Sequence, residues 1–184
     1  MPTERSIPDT RENRRITEVR LCSSQFDLDL ASGNLLRFNL PILPSRSITA
    51  YTLFDCGASH KFVHPDFVAR LNRTGAKVKV RHRGNMELTT AGAVEKLPLQ
   101  EARIALDFNG FRYTGWFVVY RLSKYDVVLG KDWMEETPHQ VNLRSNVLWL
   151  DQDNATGTFR CKMEGLSPRR AQRRQAPAAS VTAG

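Results

Sequence analysis

A carboxylate, Asp55, stands directly after a strand-like run and ahead of small residues in Ala50-Tyr51-Thr52-Leu53-Phe54-Asp55-Cys56-Gly57-Ala58-Ser59. Gly57 lets the backbone bend sharply, so Asp55 would sit at the end of a buried strand instead of on a solvated loop. A carboxyl held there is suited to proton transfer. On this string alone, an Asp that merely ends a strand and caps a turn fits equally well. Cys56 and His60 could serve as nucleophile and base, but no third orienting group and no oxyanion loop accompanies them. His60 and His64 lie four residues apart, yet the string lacks the Glu that zinc-assisted hydrolysis needs and no third ligand is evident. Surface or capping roles suit both histidines better, and no metal or other cofactor is expected.

The elements around Asp55 read as all-β. Short apolar runs separated by turn residues occur at Leu35–Leu40, Ile48–Phe54, Val78–Val80, Met86–Thr90, Ile104–Phe108, Phe111–Tyr120, Tyr125–Leu129 and Val147–Leu150. Asn109-Gly110, between Phe108 and Phe111, is the dipeptide that a type I′ hairpin demands. Ala91-Gly92 is a second place for a hairpin to close. Two short helices are expected. One opens at Pro65 with Phe67, Val68 and Leu71 on one face; the other follows Gly130, carries Trp133 and Met134, and stops before Pro138. Trp116, Trp133 and Trp149 each lie in apolar surroundings and read as core or interface anchors, not as a platform for stacking bases.

A second string, Tyr125-Asp126-Val127-Val128-Leu129-Gly130-Lys131-Asp132-Trp133, closes an apolar triplet with glycine and leads into the second helix. Together with Leu53 to Val63 it resembles the retropepsin-like aspartic proteases, most closely those of long-terminal-repeat retrotransposons of the Ty3/gypsy type. The two strings match that pattern nearly position by position at a separation of about 70 residues, and the resemblance covers roughly residues 35 to 150. It implies a retropepsin-like acid protease barrel, a single lobe with one or two short helices. It also implies a catalytic Asp55, an active-site turn of Cys56, Gly57, Ala58 and Ser59, and a supporting loop of Val128, Leu129 and Gly130. Leu88, Thr89, Thr90, Ala91 and Gly92 fall where such proteases carry a flap that closes over substrate.

The implied chemistry requires two carboxylates. Two aspartates about 3 Å apart cannot both ionise, so they share one proton while one acts as base on a water and the other donates to the scissile carbonyl. No second Asp-x-Gly exists in this chain, because Asp107, Asp126, Asp132, Asp151 and Asp153 are followed by other residues. The partner must come from a second copy, in an isologous homodimer with Asp55 near the two-fold axis. The expected substrate is a polypeptide, the element's own polyprotein. One departure stands out: Cys56 occupies a place where the family usually has Ser or Thr, whose hydroxyl bonds across the dimer. A thiol is a weaker donor.

The 184 residues suit one domain with tails, expected as a polar N-terminal segment over 1–33, the protease domain over 34–161 and a basic disordered linker over 162–184. The last of these holds Lys162, Arg169, Arg170, Arg173 and Arg174 against Glu164, which is +4 of the chain's net +8. Any contact it makes with nucleic acid would be weak, nonspecific and salt-sensitive. Neither a run long enough to span a bilayer nor a secretory signal is found, and an intracellular, cytoplasmic setting is expected. The three cysteines, odd in number and far apart, do not form a disulfide framework. The competing reading is a protease-like domain that no longer cleaves and serves as a dimerisation or binding module.

Overall fold

A computed structural model of the chain describes residues 18–20, 35–90, 93–154 and 156–166. Among the described residues, eleven strands and two helices follow one another as β1 (Glu18–Arg20), β2 (Arg37–Pro41), β3 (Thr49–Phe54), β4 (Phe62–Val63), α1 (Pro65–Arg73), β5 (Val80–Thr90), β6 (Ala93–Phe108), β7 (Phe111–Val119), β8 (Val127–Leu129), α2 (Lys131–Glu136), β9 (His139–Asn142), β10 (Val147–Asn154) and β11 (Gly157–Glu164). The large sheet has the order β1-β5-β6-β7-β4-β8-β3-β2, and a small sheet has the order β11-β10-β9. An antiparallel bridge between Ile42 and Leu106 brings the β2 edge back to β6, with the Leu43 amide donating to the Ala105 carbonyl at 3.0 Å. Six strands thereby close on themselves as a barrel, and closure removes the open edge that a flat sheet would present.

Alternation along the strands explains where the two cores form. Phe54, Val127 and Leu129 face the main core with Phe38, Phe108, Phe117 and Trp133, whereas Leu53 and Val128 face a second cluster with Ala58, Phe62, Met86, Leu88, Leu122 and Tyr125. The end of β3 and all of β8 are therefore buried on both faces, which is why they read as unbroken apolar runs. Trp133 anchors the main core from α2. It is fully buried, stacks on Phe108 at a centroid separation of 5.4 Å and meets Phe54 edge-on at 6.0 Å.

Local chemistry accounts for the turns and helices that the sequence announces. The β6–β7 hairpin closes at Asn109 and Gly110 with φ of 52° and 103°, the positive values a type I′ turn needs. Pro65 opens α1, the His64 imidazole caps it by accepting from the Asp66 amide at 3.0 Å, and Phe67, Val68 and Leu71 form its buried face. α2 ends at Glu136, ahead of Pro138.

Elsewhere the structure corrects the expected boundaries. The fold continues beyond 161: β11 runs to Glu164 and pairs Cys161 with Leu150 and Lys162 with Trp149, while the Leu166 amide donates to the Arg37 carbonyl at 2.7 Å. Cys161 and Met163 alternate inward against exposed Arg160 and Lys162, so residues 162–164, assigned to the tail, complete a strand that sends Met163 into the core. Ahead of residue 34, β1 pairs with β5. The rest of the expected terminal segments, 1–17, 21–33 and 167–184, lies outside the described residues, and with it most of the basic tail. No helix among the described residues is long and apolar enough to cross a membrane.

Truncation of Trp133 to Ala leaves a cavity beneath β8 and should cost about 3–5 kcal/mol of unfolding free energy, read as a lower denaturant midpoint with an unchanged slope. A loss under about 1 kcal/mol would show that α2 does not anchor the barrel.

Candidate active site

β3 delivers Asp55 to the inside of the fold. β3 runs parallel to β8 in the register Phe54↔Leu129, and the Asp55 amide continues that ladder by donating to the Leu129 carbonyl at 3.0 Å. Chain direction then reverses: the Ala58 amide donates to the Asp55 carbonyl at 3.2 Å, and the Gly57 amide donates to Asp55 Oδ1 at 2.8 Å. One carboxylate oxygen is thus held by the turn itself. The other, Oδ2, is buried with no hydrogen-bond partner, although Asp55 is only 8% exposed. Burial raises the Asp55 carboxyl above its ordinary value of 3.8, against the lowering effect of the Gly57 and Ala58 amides.

Beneath the turn lies the loop from β8 into α2. A Cβ on Gly130 would collide with the His60 carbonyl and lie 2.8 Å from the Ala58 carbonyl oxygen, so only glycine fits. That close approach lets the Lys131 amide donate to the Ala58 carbonyl at 2.8 Å and the Asp132 amide to the Ser59 carbonyl at 3.3 Å. Val128 and Leu129 are fully buried on opposite faces of β8. The turn is therefore stapled to its support by backbone bonds, which hold position better than side chains with free rotamers.

The structure brings the expected residues together to differing degrees. Ala58, Val128 and Leu88 share one apolar cluster, with Leu53 two residues before Asp55, so β5, which carries part of the expected flap, packs onto the turn that follows Asp55. Thr89 and Thr90 continue that arm, whereas Ala91 and Gly92, between Thr90 and its partner Ala93, lie outside the described residues. Cys56 is exposed with a free thiol, and Gly57 is exposed beside it. Ser59 Oγ lies 2.7 Å from His60 Nδ1, and burial lowers the His60 pKa against the raising effect of Asp132. Among the described residues no group of three His, Cys, Asp or Glu side chains could hold a metal.

One group escaped the sequence reading. Lys61, buried just past the turn, donates from Nζ to Asp132 Oδ2 at 3.0 Å and to Glu136 at 3.2 Å, and the Tyr113 hydroxyl donates to Glu136 at 2.7 Å. The cluster ties the exit of the turn to both ends of α2. Its only sequence signal was a lysine in an otherwise apolar stretch, Lys61-Phe62-Val63, facing two acids a turn apart on a short helix.

A model of the retroviral aspartyl protease family matches residues 18–155, and the chain belongs to that family. Among solved structures it is similar to the retroviral protease-like domain of Ddi1 from Leishmania major, at 15% identity and a TM-score of 0.48 over 74% of this chain and 98% of that one. The comparison with curated proteins yields no match.

A carboxyl whose folded-state pKa lies above its unfolded value contributes stability that is fully present below the unfolded value and is lost as pH rises through the folded one. Asp55→Asn removes that loss and keeps an acceptor for the Gly57 amide. At protein concentrations low enough to keep the chain monomeric, the variant should melt above the parent at pH 7, and the gap should shrink as pH falls through the raised Asp55 value and be closed below about 4. An Asp55→Asn variant that melts lower at every pH would contradict the assigned burial of an ionised, unpaired oxygen.

Proposed function

We propose that the chain is an aspartic endopeptidase of retroelement type, working as a homodimer in which two Asp55 carboxyls share a proton and activate a water. The observation that carries this reading is the Oδ2 atom, buried and without a partner. Leaving a buried acceptor unsatisfied costs about 1–3 kcal/mol, and more when it is charged. In the proposed homodimer the side chains that cover Oδ2 in the single chain draw aside, and a second Asp55 across the two-fold axis becomes its partner, with the shared proton lying between the two carboxyls. The same proximity splits the pair's titration, so that one carboxyl stays protonated to donate to the scissile carbonyl while its twin takes a proton from water. Family membership supports the chemistry, and the absence of a second Asp-x-Gly supports the dimer.

The reading extends to a polyprotein substrate of a Ty3/gypsy-type element inside the cell. Its extended backbone would lie between flap and dyad, with side chains alternating into apolar pockets. The basic residues near the C-terminus would add weak, salt-sensitive contact with nucleic acid.

Peptide-library digestion at mildly acidic pH should give cleavage that Asp55→Asn abolishes and a statine-type inhibitor blocks. Cleavage indifferent to both changes removes the enzyme reading, and a stable dimer with no cleavage returns the binding-module alternative. Cys56→Ser restores a full-strength hydroxyl donor at the turn, where each such hydrogen bond is worth about 1 kcal/mol. Sedimentation should show tighter dimers for that variant, and digestion should show higher activity; equal values for parent and variant would mean that position 56 makes no bond across the axis.

A further inference from the structure

β5 is the flap arm, and both of its edges are in use. One edge pairs antiparallel with β6 from Met86↔Leu97 to Thr90↔Ala93. The other carries β1 in parallel register, Glu18↔Glu87, Val19↔Leu88 and Arg20↔Thr89. The paired stretch is the one that matters for the site, because Met86 and Leu88 pack with Leu53 and Ala58 on either side of Asp55. β1 therefore runs one strand spacing, about 4.8 Å, from the segment of the flap that covers the active-site turn.

An extended peptide is gripped by backbone hydrogen bonds along an open strand edge. With β6 on one side, the outer edge of β5 is the one left for such a peptide, and residues 18–20 occupy it. Direction is no obstacle. A single peptide crossing a two-fold axis runs parallel to the flap arm of one copy and antiparallel to that of the other, so the parallel sense of β1 is one of the two senses a substrate must adopt.

We propose that the outer edge of β5 at Glu87–Thr89 is a strand-accepting site for extended peptide, and that Glu18–Arg20 is its built-in occupant, which restrains activity until displaced. The proposal rests on the aspartic endopeptidase reading for the identity of the displaced ligand. A tethered strand competes at a high effective concentration despite its few hydrogen bonds. An edge free in about one molecule in ten would weaken apparent substrate affinity about tenfold.

The test uses a fluorescein-labelled peptide of residues 14–24, with Cys22→Ser, and three chains carrying Asp55→Asn so that no cleavage interferes. These are the full chain, a chain lacking residues 1–20, and the full chain with Val19→Pro and Arg20→Pro together, which removes whichever of the two alternating amides faces β5 and leaves the rest of the chain intact. Anisotropy should show saturable binding to the truncated and doubly substituted chains, about tenfold weaker binding to the full chain, and displacement by any peptide that the library digestion shows to be cleaved. Equal binding to all three chains, or binding to none, overturns the proposal, as does failure of such a cleaved peptide to compete. In the cleaving parent, the same truncation should lower KM about tenfold and leave kcat unchanged; a change in kcat with KM constant also overturns it. A chain that never cleaves but binds the labelled peptide only when β1 is removed or broken separates the two ideas, because the enzyme reading fails while the strand site stands.

Discussion

Half of one carboxyl group sets the terms for this fold. The protein's own turn satisfies Asp55 Oδ1 and leaves Oδ2 buried and bare. A single chain has no cheap way out of that arrangement: ionisation leaves an uncompensated charge at low dielectric, and protonation leaves a hydroxyl with nothing to donate to. The raised pKa of Asp55 is the electrostatic trace of this conflict. Strain of this kind persists only where the surroundings enforce it, and such places cluster at functional sites.

Much of the barrel can be understood as that enforcement. The end of β3 and all of β8 are buried on both faces, so neither strand can shift register without exposing one of the two cores. Gly130 lets the backbone of the β8–α2 junction press against the turn closely enough for two amides to bond to its carbonyls. Trp133 fixes α2 from below, and Lys61 ties it to the strand leaving the turn. The ion pairs of Lys61 differ in worth: Asp132 is largely shielded, whereas Glu136 is half exposed and more screened by solvent. β5 closes the arrangement from above through Leu88.

What was legible in the sequence was local chemistry with a strict backbone requirement. Asn109-Gly110 demanded a hairpin, Pro65 opened a helix, and Gly130 between an apolar triplet and Trp133 marked a strand-to-helix junction. The all-β class and the retroviral protease family followed from the rhythm of these pieces and from the two strings. Less legible were elements whose pattern is set by distant partners. β5 looked like two fragments because Arg83 and Gly84 sit in a bulge between His82 and Asn85, with Gly84 at φ 86°. The first half of β6, Val94-Glu95-Lys96, is exposed and mostly polar, and only its pairing with β5 makes it a strand. β11 was hidden by basic and polar residues on its outer face, and β1 by its brevity. Lys61 was unreadable for a different reason, because its partners lie 71 and 75 residues away and no periodicity links them.

The claim that Oδ2 is completed by its twin is open to direct observation through the side-chain carboxyl carbon of Asp55, followed by NMR in isotopically labelled protein across the acidic range. In concentrated, dimeric samples the resonance should move in two well-separated steps belonging to a coupled pair, and on dilution it should collapse to one step above 3.8. A single step with the same midpoint at every concentration would show that Asp55 never meets a second carboxyl.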